Sequence, residues 1–129
     1  MKEIKKVDSI YLEEYDVTVK PYLTYPEIYA IGKAVSKFDA WAERETNIDI
    51  LLLHFATDMN DEDIENIGHD VLLECGLIDK VKENIVNFER VVECVEYHNS
   101  LKRTMLIVAN YILEEINKKA DEMNGGSEK

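Results

Sequence analysis

From Val91 onward one row of residues repeats at alternating intervals of three and four: Val91, Cys94, His98, Leu101, Met105, Val108 and Ile112. Only a helix, with 3.6 residues per turn, gathers such a row onto one side; a strand of period two would scatter it over both faces. The spacing predicts a single helix from about Asn87 to Lys119. Lys118 and Lys119 suit its negative end. The row is a seam about three heptads long. It is either the face that the helix lays on its own domain or the core of an intermolecular coiled coil. Leu106, Ile107, Leu113 and Ile116 widen the apolar surface beyond a bare seam, which favours globular packing or packing against several neighbours. Beyond it, Met123-Asn124-Gly125-Gly126-Ser127-Glu128-Lys129 reads as a flexible tail.

Upstream, helical signals begin at Thr24. Thr24-Tyr25-Pro26-Glu27 has the spacing of a capping box, with Pro26 in the first turn, where a missing N–H costs nothing. Ile28, Ile31, Val35 and Phe38 follow at helical spacing. Gly32 inside this stripe weakens the helix unless another element packs closely on it. The run from Ser36 to Glu45, with Trp41, continues or restarts the helix. Asn47 is read as the cap of a second, core helix through Ile48, Leu52, Phe55 and Ala56. Asn60 caps a third, whose first-turn acids suit the positive helix end. Gly76 reads as its left-handed stop. Leu77, Ile78, Val81 and Ile85 mark a fourth short amphipathic helix.

Residues before Pro21 differ in kind. Ile10-Tyr11-Leu12 and Tyr15-Asp16-Val17-Thr18-Val19-Lys20 alternate apolar and polar residues and favour extended backbone. Their hydrogen bonds must go to a hairpin within residues 8–20, to solvent or to another subunit. Tyr11, Tyr15, Tyr22, Tyr25 and Tyr29 crowd into the same region, and tyrosine is enriched at interfaces. The expected architecture is therefore mainly α: a compact domain of about five helices spanning 24–119. It has an extended arm over 1–23, with a short strand or hairpin, and a tail over 120–129. Candidate contact residues are Tyr11, Tyr15, Val17, Val19 and Tyr22 on the arm, with Val91, His98, Leu101, Met105, Val108 and Ile112 on the last helix.

Charge narrows the function. The 129 residues carry a formal net charge of −12. Ten acids and no Lys or Arg lie between Arg44 and Lys80, which leaves a net of only −2 for the other 94 residues. Such a field repels phosphate backbones and anionic lipid surfaces, so direct nucleic-acid and membrane binding are not expected. Asp58, Asp61, Glu62, Asp63 and Glu65 form a candidate acidic docking surface for a basic partner, or a solvated face that keeps the chain soluble. No apolar run approaches the roughly 20 residues that span a bilayer. The basic residues of Met1 to Lys6 have no apolar stretch behind them, so no secretory signal is read there.

Chemistry is sparse. Asp58, Asn60 and Glu62 occupy the first, third and fifth positions of an EF-hand loop, but Asp63 stands where Gly is required and His69 where Glu is required. His69-Asp70 matches the HD dipeptide of metal-dependent phosphohydrolases, yet no Asp follows Asp79 until Asp121. Leu51, Asn66 and Val95 stand three before the histidines, which excludes Glu-x-x-His di-iron pairs. Cys75 and Cys94 lack a CxxC neighbour and read as small buried hydrophobes in a reducing cytoplasm. No catalytic, metal or cofactor residue is assigned, and an enzyme is not expected.

The run Val17-Thr18-Val19-Lys20-Pro21-Tyr22-Leu23-Thr24-Tyr25-Pro26-Glu27-Ile28, the turn Gly76-Leu77-Ile78-Asp79 and the element Tyr97-His98-Asn99-Ser100 together resemble a pattern in small proteins of tailed phages and prophages of Gram-positive hosts. The similarity spans about Val17 to Ile116. Among such proteins the all-helical tail-assembly chaperones resemble this chain most in size, acidity and helical content; a head–tail connector or another virion component fits nearly as well. The resemblance implies a structural or assembly factor in the host cytoplasm or the virion. It implies protein partners, among them tail or virion components, and self-association into a homo-oligomer. The alternative is an acidic inhibitor that mimics nucleic acid on a host or defence protein.

Overall fold

Two three-residue strands, β1 (Ile10–Leu12) and β2 (Val17–Val19), pair antiparallel with Ile10 opposite Val19. Asp16 takes a left-handed φ of 51° in the connecting turn, a conformation that Asp tolerates. The arm thus finds its partner within residues 8–20. The outer edge of β2 is also covered, because Val19 bridges Thr57 after the second helix. The computed structural model describes residue 3 and residues 7 to 127, with side chains up to residue 124. The arm's residues 1, 2, 4, 5 and 6, and tail residues 128 and 129, lie outside the described residues.

Six helices follow among the described residues: α1 (Tyr25–Val35), α2 (Trp41–Ala56), α3 (Asp61–Ile67), α4 (His69–Glu74), α5 (Leu77–Asn84) and α6 (Phe88–Ser127). The fold is mainly helical, as the periodicities require. α1 starts with the full capping box: Thr24 Oγ1 accepts from the Glu27 N–H, and Glu27 Oε1 accepts from the Thr24 N–H at 2.8 Å. Asn60 caps α3 by accepting from the Asp63 N–H. Gly76, at φ 89° and ψ −1°, makes the left-handed stop after α4.

Four expectations are corrected. α1 ends at Val35 and leaves Phe38 half-buried in the loop. Asn47 does not cap α2, which already begins at Trp41; its side-chain amide donates instead to the Glu43 carbonyl inside the helix. The expected helix after Asn60 is broken at Gly68, whose φ of 88° gives α3 and α4. The last helix continues through residues 120–127, read as a tail, to Ser127.

The core is assembled from one face of every element. Val19, Ile31, Val35, Leu52, Leu53, Ile78, Val81 and Val91 are fully or almost fully buried in it. Gly32 sits where α1 crosses α6. A Cβ built there would meet the Cys94 Sγ at 2.5 Å and the His98 Cδ2 at 3.0 Å, so only glycine permits this approach.

Candidate interaction surface

The row that opens at Val91 has two fates. Val91 and Val95 are buried against the domain, and Cys94 and His98 are partly buried on α1. Past Ser100 the helix leaves the core, and the loop of Ser36 and Asp39 touches its first turn, at Lys102. No side chain from Leu101 to Asn124 is buried, and all but the half-buried Lys102 and Glu115 are exposed. Leu101 is 44% exposed, Met105 65%, Val108 50% and Ile112 51%; Leu106, Ile107, Leu113 and Ile116 are each more than half exposed. The physical cause is length. α1 has 11 residues and reaches about 16 Å, whereas the 40 residues of α6 run about 60 Å.

The point where α6 leaves the domain is held by charge. Lys102 Nζ lies 2.7 Å from Asp39 Oδ1, which keeps the Asp39 carboxyl below its usual range, and Arg44 Nε donates to the Phe38 carbonyl. Ser36, His98, Leu101, Lys102, Met105, Leu106 and Ala109 line an open groove of about 480 Å³ at this junction. His98 makes edge contacts with the rings of Tyr29 and Tyr97, and its Nε2 is buried without a hydrogen-bond partner among the described residues.

The arm, the other candidate contact surface, is fastened to its own domain. Val17 is 4% exposed and Val19 0%, so both fill this chain's core rather than face a partner, as does Val91. The Lys20 N–H donates to the Ala56 carbonyl, and the Asp58 N–H donates to the Thr18 carbonyl. Tyr15 is half-buried and its hydroxyl donates to the Cys75 carbonyl at 2.9 Å. Tyr11 and Tyr22 are exposed; the Tyr11 hydroxyl donates to Asp16, and that bond to a carboxylate raises its pKa.

The five acidic candidates, Asp58, Asp61, Glu62, Asp63 and Glu65, are all exposed. Several serve local structure as well. Asp58 Oδ1 accepts from the Thr18 N–H, Asp61 Oδ1 lies 2.6 Å from His54 Nδ1, and Asp61, Glu62 and Asp63 occupy the positive end of α3.

A buried network escaped sequence reasoning. Asp49, 3% exposed in the middle of α2, sets one carboxylate oxygen 2.7 Å from His69 Nε2 of α4 and the other 2.6 Å from Lys82 Nζ of α5. Lys82 also lies over the Phe88 ring at the start of α6. The network clamps three helices and accounts for His69 without an HD-type role. The only signal was a lone acid inside an apolar run. Among the described residues no group of three or more His, Cys, Asp or Glu side chains could hold a metal ion. Cys75 is exposed, against expectation; Cys94 lies against Gly32, and burial pushes its thiol pKa up.

No helix among the described residues is long and apolar enough to cross a membrane. Comparison with known proteins finds no matching family model, no matching curated protein and no matching solved structure.

Proposed function

We propose that this chain is a non-catalytic assembly protein that works by protein–protein binding and self-associates through the projecting half of α6. One observation carries the reading: a helix segment more than 20 residues long leaves its apolar side chains about half or more exposed to water. Most helical stability comes from packing of an apolar face, and an apolar surface this continuous marks a contact site. Covering it would stabilise the bound state by on the order of 1 kcal/mol per side chain before the costs of association. The sequence pattern extends the proposal to a virion-assembly role, as a tail-assembly chaperone or another phage structural component. It would act in the host cytoplasm or within the particle, without a cofactor, a membrane or direct nucleic-acid contact.

The exposed acids of α3 favour a second reading, an inhibitor that mimics nucleic acid. Light scattering on a sizing column at low and high salt separates the two. Self-association through apolar side chains gives a mass that is a multiple of 14.9 kDa and persists in high salt. A monomer at every salt concentration would refute the assembly reading and favour the mimic, whose binding should weaken steeply with salt.

A further inference from the structure

The alternation of three and four stops at Ile112, because its next members are Glu115 and Lys119. Within the uncovered segment a different row is apolar throughout: Leu101, Met105, Ala109, Ile112, Ile116, Ala120 and Met123, with intervals of four, four, three, four, four and three. This is an eleven-residue repeat, in which Leu101, Ile112 and Met123 are equivalent. Its period of about 3.67 residues per turn suits nearly straight packing with a slight right-handed coil. The helix therefore changes its packing period at the point where it leaves its own domain.

We propose that the projecting halves of α6 from two copies of this chain pack antiparallel about an axis at Ile112, which places the two domains at opposite ends. The inference rests on the self-association reading and adds the number of copies and their relative direction.

Three observations choose this arrangement. The first is side-chain size. Antiparallel pairing about Ile112 sets Leu101 beside Met123, Met105 beside Ala120 and Ala109 beside Ile116. Each alanine then faces a large side chain, and packed cores require large against small. Parallel pairing would set Ala109 on Ala109 and Ala120 on Ala120 and leave gaps. The second is charge along the segment. Lys102 and Arg103 stand near its start, and Asp121 and Glu122 near its end. The antiparallel arrangement brings these opposite pairs to the same level, whereas a parallel one stacks like on like. The third is charge on the whole chain. From Leu101 to Asn124 four basic residues balance four acidic ones, so the net of −12 resides elsewhere. Domains at opposite ends of a segment about 36 Å long are separated by several of the ~8 Å screening lengths of physiological salt. The neutral segment shows no bias towards a basic or acidic foreign partner. The groove of Ser36, His98 and Met105 lies at the level where the partner's Met123 end would arrive.

Disulfide trapping tests this in full-length protein with the exposed Cys75 replaced by serine. One chain carries Ala109→Cys, and a second chain of different tagged mass carries Ile116→Cys. Mixed and oxidised, they should yield mainly the cross-linked hetero-pair, while each variant alone cross-links poorly. Efficient 109–109 and 116–116 cross-links in the separate samples would establish parallel pairing and overturn the proposal. A dimer by mass that forms none of these cross-links would overturn the register, and a mass of three or more copies would overturn the pair. A monomer by light scattering would instead refute the self-association reading itself.

Discussion

Asn87 holds Leu23 by both of that residue's backbone groups: Asn87 Oδ1 accepts from the Leu23 N–H at 2.9 Å, and Asn87 Nδ2 donates to the Leu23 carbonyl at 2.8 Å. One side chain imitates a strand partner and ties the end of the arm to the start of α6, two segments 64 residues apart in sequence. The Val86 N–H donates to the Pro21 carbonyl beside it. Asn87→Ala would strip Leu23 of both partners and should cost about 1–3 kcal/mol of stability. Hydrogen exchange at Leu23 should accelerate before global unfolding; unchanged exchange there would refute the tie.

Gly32→Ala should destabilise by about 1–3 kcal/mol, because the added methyl overlaps Cys94 and presses on His98. Cys94→Ala in the same chain removes the nearest clash and should restore part of the loss in a denaturant melt. A neutral Gly32→Ala would show that α1 and α6 leave room for a methyl group, against the 2.5 Å overlap with Cys94 Sγ.

Asp49→Asn would leave Lys82 and His69 facing a neutral amide in a largely buried site. Lys82 keeps 24% of its side chain exposed, so the cost should fall near or below the lower end of the ~3–5 kcal/mol for breaking a buried pair. Replacing the trio together by Leu, Phe and Met should recover much of that stability. If the triple variant is less stable than Asp49→Asn, the network contributes more than matched hydrogen bonds.

Glu27 sets a pH dependence. Partial burial pushes its carboxyl up, but the Lys20 ammonium at 2.6 Å and the Thr24 N–H and hydroxyl outweigh burial and hold the pKa below the usual carboxylate value. Its stabilisation is present above the unfolded-state pKa and fades as pH falls through the lower folded-state value. Glu27→Gln should lower the melting temperature at pH 7, with the gap to the parent closing in that acidic range. A gap that stays constant down to pH 3 would contradict this.

Local signals were legible in the sequence and distant ones were not. Thr24 with Glu27, Asn60 and Gly76 declare their roles within four residues, because caps and stops are local backbone chemistry. Asn47 misled because α2 starts six residues earlier, at Trp41, after Ala40, a cap without a side-chain hydrogen bond. The loop before it is held instead by Arg44 on Phe38 and by Lys102 on Asp39. Asp49 becomes intelligible only beside His69 and Lys82, 20 and 33 residues away. The Val91–Ile112 row could not reveal in sequence that its first half packs inward and its second half stands free. The length of α1, a different element, makes that division.

Amide hydrogen exchange along α6 of the purified full-length chain tests the central claim most directly. Residues 101–123 should be protected nearly as well as Val91 to Val95 at high protein concentration and lose that protection on dilution, because only association covers them. Exchange near the unprotected rate at every concentration would show that the projecting helix stands alone and would contradict self-association through it.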